Sequence, residues 1–171
     1  MAIEIRKPKV EEWEQFKELR LKSLHEYPLA FASSYDEQLD KSNEEWKSYI
    51  LASETEKDSV MFCAYEDGQM IGCVSGIWNN RKKVSHIVSI VGMFVFSDKQ
   101  NKGVGYKLVT TLLDYLHKKE RFHKAKLSVV SSNLPAHNLY KKVGFVDAGV
   151  LHAELFIDGK YHDFIEMERF F

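Results

Sequence analysis

Residues 84–105 read VSHIVSIVGMFVFSDKQNKGVG and join a β-prone segment to a glycine-rich loop and the first turn of a helix. Residues 84–96 are the most strand-prone part of the chain, and Gly92 interrupts them as a glycine does at a bulge or at a close backbone approach. Residues 98–102 predict a loop. A helix is expected over residues 103–119, because Leu108, Leu112, Leu113 and Leu116 form one apolar face.

Hydrophobic patterns and turn residues also predict strands and helices on both sides of residues 84–105. Short strands are predicted at residues 3–6, 60–66, 70–78, 126–130, 145–156 and 160–170, and helices at 10–25, from Ser42 and from Asn133, with an irregular connection at 29–41. The central strand-helix-strand step favours one parallel pairing. The sequence therefore predicts an α/β (α+β) fold in one domain, residues 1–171. We expect a mixed, mostly antiparallel, twisted sheet of six to seven strands, flanked by about four helices.

Composition excludes several classes of function. The chain has 24 Lys+Arg against 25 Asp+Glu, a net charge of -1, which argues against a general nucleic-acid binder. The longest uncharged run, residues 84–97, is too short for a membrane helix, and the N-terminal residues lack the apolar core of a signal peptide. Cys63 and Cys73 are interpreted as two buried free thiols, and a cytoplasmic location is expected.

The glycine-rich loop has the chemistry of an anion site. Its residues are Gln100, Asn101, Lys102, Gly103, Val104 and Gly105. The two glycines permit a close backbone approach, and the unpaired N–H groups of the helix start suit a phosphate or pyrophosphate. Lys99, Lys102 and Lys107 add positive charge. The pattern is neither a Walker loop nor a dinucleotide-binding fingerprint, and an ordinary glycine-rich helix start explains it equally well.

A second motif follows about thirty residues later, at NLPAHNLYKKVGF from Asn133 to Phe145. As plain structure it is a short helix, which Asn133 caps and Gly144 ends. Tyr140 lies about two turns into that helix and can project toward a cleft beside the preceding strand.

Together the two motifs resemble the GNAT N-acetyltransferase family, in spacing and in order, and the order of elements agrees over essentially the whole chain. The resemblance implies a GNAT-like acyl-CoA acyltransferase fold and direct transfer of an acetyl group from acetyl-CoA to a primary amine of a small molecule or a protein. By resemblance, the loop amides from Gln100 to Gly105 hold the coenzyme pyrophosphate with help from Lys107. The pantetheine arm lies along Met93, Phe94 and Val95, beside the splayed strand at 126–130.

The same resemblance assigns Asn133 to contact with the arm and Tyr140 to the protonation of the leaving thiolate, with a strand N–H near Val95 as an oxyanion donor. The base stays open, because the fourth strand has no carboxylate. His86, His152, Glu154 and a water chain are the alternatives, and His137 is expected to face solvent. The family places the acceptor amine near Phe31, Tyr35, Tyr161 and Asp163 without identifying it. No residue is assigned to a metal.

Two other functions remain open at this point. A non-catalytic coenzyme A-binding sensor would keep the loop and need no general acid, and a longer acyl-CoA would use the same fold. The edge of the terminal strand at 160–170 is consistent with a homodimer, because an exposed edge has to be covered.

Overall fold

The computed structural model describes residues 3–171, so residues 1 and 2 of the predicted domain lie outside the described part. The seven strands are β1 (Glu4–Arg6), β2 (Ser59–Glu66), β3 (Gln69–Trp78), β4 (Ile87–Val95), β5 (Lys124–Val130), β6 (Val146–Ile157) and β7 (Lys160–Phe170). The five α-helices are α1 (Trp13–Glu26), α2 (Tyr35–Leu39), α3 (Asn43–Thr55), α4 (Val104–His117) and α5 (Leu134–Lys142). Short 3₁₀ turns occupy Val10–Glu12, Pro28–Ala30 and Ser97–Lys99.

All seven strands form one sheet in the order β1-β2-β3-β4-β5-β7-β6. The pairing of β4 with β5 is parallel, and the other five pairings among residues 3–171 are antiparallel. The parallel pair is the one that α4 connects, as a crossover requires. The predicted mixed and mostly antiparallel sheet is confirmed.

Helices cover the sheet on both faces. On one face α4 buries Leu108, Leu112, Leu113 and Leu116 in a core that also contains Tyr140 and Phe145. On the other face α1 and α3 bury Phe16, Leu19, Trp46 and Ile50 against Cys63, Cys73 and Phe94. Both cysteines are free and buried, as the sequence predicts. None of the helices among residues 3–171 has the length and apolarity needed to cross a bilayer.

Three details differ from the sequence prediction. The connection at 29–41 contains α2, which the capping box of Ser34 and Glu37 starts: Glu37 N–H donates to Ser34 Oγ at 3.2 Å, and Ser34 N–H donates to Glu37 Oε2 at 2.9 Å. The fourth strand begins at Ile87, since residues 81–86 form turns. The last strand, β7, lies inside the sheet between β5 and β6, so the two edge strands of the described sheet are β1 and β6.

Candidate functional site

The glycine-rich loop leaves a row of backbone donors without partners. Gln100 N–H donates to Ser97 O at 3.4 Å, and Lys107 N–H donates to Gly103 O at 3.0 Å. Between them, the N–H groups of residues 101–106 make no hydrogen bond to any part of the chain that the structure describes. Asn101 and Gly103 adopt positive φ angles of 59° and 78°, which turn the chain into α4. Six unpaired donors at and directly before a helix N-terminus suit the binding of an anion.

Three elements meet at Gly105. A Cβ built on Gly105 would lie 2.6 Å from Met93 Cε on β4 and 3.3 Å from Leu139 Cδ2 on α5. The absence of a side chain therefore lets the start of α4 approach both elements closely. This contact places the loop, β4 and α5, which carries Tyr140, around one point.

A cleft opens in the sheet next to that point. β4 and β5 pair only through Ile87, Val88 and Ser89 with residues 124–126 in the described chain, although both strands continue. A bulge at Gly92, with φ of 63°, shifts the register of β4 against β3 between the pairs Cys73–Phe94 and Ser75–Val91. Beyond Ser89 the two strands separate, and their facing edges are available to an extended ligand.

The backbone of β4 directs specific groups into this cleft. Phe96 N–H donates to Ile71 O on β3 at 3.0 Å, so the alternation of a strand turns the N–H groups of Val95 and Met93 the other way, toward β5. Phe94 packs its side chain into the core on the α1 face. The Gln100 amide Nε2 donates to Val95 O at 2.9 Å and to Tyr27 Oη at 3.2 Å. Gln100 thus ties the loop to the end of β4.

Tyr140 lies on α5 with only 8% of its surface exposed, packed edge-on against Phe145 at a centroid distance of 6.0 Å. Burial raises the pKa of its phenol to about 12. The hydroxyl has no hydrogen-bond partner among residues 3–171, yet it is not sealed from solvent. It is therefore a protonated donor that can serve a bound ligand.

Asn133 acts as the cap of α5, since its Oδ1 accepts from Ala136 N–H at 3.2 Å. The capping function predicted as plain structure is confirmed, and the side-chain N–H₂ remains available. Lys102 Nζ donates to Asp98 O at 3.1 Å and stays beside the loop, while Lys107 is exposed one turn into α4.

Comparison with known proteins agrees with this geometry. The model of the Acetyltransferase (GNAT) family matches residues 13–145, from the start of α1 to the end of the second motif. The chain belongs to the GNAT acetyltransferase family. The matched region includes the loop, the cleft and Tyr140.

Individual relatives differ in what they act on. The chain is 37% identical over 71 residues to a spermidine N(1)-acetyltransferase of Vibrio cholerae, covering 42% of this chain and 41% of that one. It is 27% identical over 106 residues to a streptothricin acetyltransferase of Escherichia coli, covering 61% and 57%. The chain thus spans less than two thirds of either relative. The structure of yncA from Salmonella typhimurium with its cofactor acetyl-CoA has the same fold, with a TM-score of 0.86, 18% identity, and coverage of 99% and 94%.

The residues considered as a catalytic base lie away from the cleft, are exposed to solvent or are hydrogen-bonded to another side chain. His86 lies before β4, at the end where β4 and β5 are joined, and its carbonyl accepts from His123 N–H at 2.9 Å. His152 is 79% exposed and bonds to Asp163 at 2.9 Å, and Glu154 is exposed on β6. The expectation that His137 faces solvent is wrong, because its side chain is 12% exposed and bonds to Asp147 at 2.7 Å.

A cavity of about 410 Å³ lies between the α1–α2 connection and the end of β6. Phe31 and Tyr35, two of the residues that the resemblance places near the acceptor, line it. Tyr161 is 69% exposed and reaches the cavity only through Phe156, at a ring distance of 4.8 Å. Asp163 accepts from Ala153 N–H and His152 instead.

Tyr27 also belongs to the site, although it was not predicted from the sequence. Its ring packs edge-on against Phe94 at 5.8 Å, and its hydroxyl accepts from Gln100. Tyr27 therefore joins the end of α1 to β4 and to the loop. Its position directly before Pro28, at the end of a helix, was the only local signal in the sequence.

Proposed function

We propose that this chain is an acetyl-CoA-dependent N-acetyltransferase that moves an acetyl group directly to a primary amine. One observation carries the proposal: six unpaired backbone N–H groups lie at the mouth of a cleft between β4 and β5, with the buried phenol of Tyr140 on the neighbouring helix. Family membership supports the same reaction.

The bound coenzyme is expected to follow these groups in order. The N–H groups of residues 101–106 hold the pyrophosphate, and Lys102 and Lys107 add positive charge. The pantetheine arm pairs with the cleft-facing backbone of Met93 and Val95, past Phe94 and toward Asn133. Because its N–H is already bonded to Ser97, Gln100 positions the loop and contributes less to binding than Gly103, Val104 and Gly105 do.

The chemistry then needs one bond made and one broken. The neutral amine attacks the thioester carbon, and the β4 N–H near Val95 stabilises the oxyanion. The C–S bond breaks, and the thiolate takes the phenol proton of Tyr140. Solvent accepts the proton of the new ammonium and returns a proton to the phenolate, which closes the cycle. With a pKa of about 12 the phenol is fully protonated at neutral pH, but it is a weaker acid than the thiol that it protonates. Its donation therefore depends on a short hydrogen bond to the departing sulfur.

Thiol release from acetyl-CoA in the presence of primary amines tests this proposal. We expect amine-dependent turnover, and a kcat about 100-fold lower in Tyr140→Phe with unchanged acetyl-CoA affinity. Tyr115→Phe is the matched control, because Tyr115 bonds to Lys7 and Glu56 away from the cleft. Acetyl-CoA binding without turnover on any amine would instead favour the sensor alternative. Unchanged kcat in Tyr140→Phe would remove the acid assignment.

We further propose a cytoplasmic homodimer. The reduced thiols of Cys63 and Cys73, which face each other across β2 and β3, support a reducing compartment, and cell fractionation tests it. The dimer is supported by β6, an edge strand on which Val146, Val150 and Leu151 are 58%, 51% and 41% exposed.

A further inference from the structure

Arg20 on α1 carries a positive charge that the described chain does not compensate. Its guanidinium forms no ion pair and no hydrogen bond with residues 3–171, and Nη1 is closed off from solvent without a partner. Desolvation lowers its pKa, and the titratable groups that influence it are the Cys73 thiol and the Tyr49 phenol, neither of them a carboxylate. A charge that is partly withdrawn from solvent without a counter-ion costs free energy, and a buried polar atom without a partner calls for an explanation.

The position of Arg20 connects it to the candidate site from two sides. Its guanidinium stacks on the ring of Phe31 at 4.3 Å, and Phe31 lines the 410 Å³ cavity. Cys73, beside it, donates from Sγ to the carbonyl of Gly92 at 3.2 Å, at the bulge where the cleft opens. Arg20 does not itself line the cavity. It lies on the α1 face in contact with Phe31 of the cavity wall, and beside Cys73, which bonds to the bulge of β4.

The remaining nitrogens of Arg20 can still be reached. Nε and Nη2 are not sealed from solvent, although they have no partner within the described residues. These two atoms form an edge of the guanidinium, and such an edge binds a carboxylate through two parallel hydrogen bonds. The stack on Phe31 holds the plane in place, so little conformational entropy is lost on binding.

We propose that Arg20 binds a carboxylate of the acceptor, so that the acceptor is a small amine that carries a carboxylate, such as a free amino acid. The inference rests on the proposed function and names its substrate class. The cavity has the volume of a small-molecule site rather than of an extended groove. Arg20 supplies the counter-charge, and the amine is directed toward the bulge at Gly92.

Matched amine pairs test the proposal. Each pair is an amino acid and its decarboxylated counterpart: L-phenylalanine with 2-phenylethylamine, L-leucine with 3-methylbutylamine, and L-lysine with cadaverine. For each pair, the kcat/KM of the amino acid is divided by that of its decarboxylated amine, and this ratio is compared between the wild type and Arg20→Gln. Because both proteins are tested with the same two amines, the difference in amine pKa cancels. We expect Arg20→Gln to lower that ratio about 10- to 100-fold and to leave the decarboxylated amines unchanged.

Two further variants make the result specific. Arg20→Lys keeps the charge without the planar pair of donors and is expected to retain part of the preference. Arg121→Gln is the matched control, because Arg121 also stacks on aromatic rings, those of Trp78 and Phe122, outside the candidate site. An equal ratio in the wild type and Arg20→Gln contradicts the proposal. A wild type that prefers the decarboxylated amines or spermidine also contradicts it. This second outcome needs only the wild type, so it is informative even if Arg20→Gln does not fold.

Failure of the proposed acetyltransferase activity gives a different result from failure of the Arg20 proposal. No transfer to any amine, despite bound acetyl-CoA, would contradict the enzymatic activity itself. Calorimetric titration of the three amino acids into the coenzyme-bound protein then decides on Arg20. Binding that Arg20→Gln abolishes supports the carboxylate site, and absence of binding by the wild type overturns it.

Discussion

Glu12 illustrates how a single carboxylate holds the start of the chain to the sheet. It accepts from Arg6 Nη1 and Nη2 at 2.9 and 2.6 Å, from Lys9 N–H at 2.7 Å and from Tyr65 Oη at 3.0 Å. The hydrogen bonds from Arg6 are the main cause that lowers the pKa of Glu12 to about 2. The charged form is thus favoured strongly in the folded protein.

Glu12→Gln should lower the free energy of unfolding by about 2–3 kcal/mol at pH 7. Because the folded pKa lies below the unfolded value of 4.5, this contribution is complete above pH 4.5. It is lost as the pH falls through 4.5 toward about 2. Urea unfolding of both proteins across this range measures it. Glu14→Gln, on the exposed side of α1, should change stability by less than about 0.5 kcal/mol. A difference that does not vary with pH would contradict this role of Glu12.

The residues of the site differ in how far the sequence could predict them. Gly103, Gly105 and Asn133 were predictable, because a positive φ, a close approach and a helix cap each require particular residue types. The burial of His137 was not, since its partner Asp147 lies on the next strand and becomes a neighbour only in the fold. Arg20 carried no local signal, because being unpaired is a property of its three-dimensional surroundings.

Among the elements, the longer helices and all seven strands followed from hydrophobic periodicity and turn residues. The short helix α2 was missed because five residues contain too little periodicity, although Ser34-x-x-Glu37 is the same capping signal that identified α3. The separation of β4 and β5 could be expected only by resemblance. It depends on the bulge at Gly92 and on the fact that only three residue pairs join β4 to β5 among residues 3–171. The sequence shows the glycine, but it does not show how the residues of neighbouring strands are paired.

The sheet order leaves β1 and β6 as the two edge strands. An exposed edge was expected at residues 160–170, but that strand pairs with both β5 and β6. The outer strand β6 presents twelve residues along one side of the molecule, most of them exposed. An apolar edge of this length is normally covered.

Sedimentation velocity tests the homodimer. We expect a dimer for the wild type at about 10 μM, and a monomer for Val150→Lys, because a charge at the centre of β6 has to be desolvated on pairing. Ile77→Lys is the matched control, since Ile77 is 43% exposed on β3 and should leave the dimer intact. A monomeric wild type, or a dimer that Val150→Lys does not weaken, would exclude β6 as the interface.

The start of α4 is proposed to hold the pyrophosphate of acetyl-CoA at the mouth of the cleft. Calorimetric titration with acetyl-CoA and with S-acetylpantetheine, which lacks the pyrophosphate, tests it on the wild type, Gly103→Ala and Gly68→Ala. Gly103 and Gly68 have φ angles of 78° and 79°, and no atom lies within 4 Å of the Cβ that alanine would add at either position, so the two substitutions introduce the same backbone strain. We predict micromolar binding of acetyl-CoA, at least tenfold weaker binding of S-acetylpantetheine, and a loss of affinity in Gly103→Ala that Gly68→Ala does not share. Equal binding of the two ligands, or an equal effect of the two substitutions, would contradict the claim.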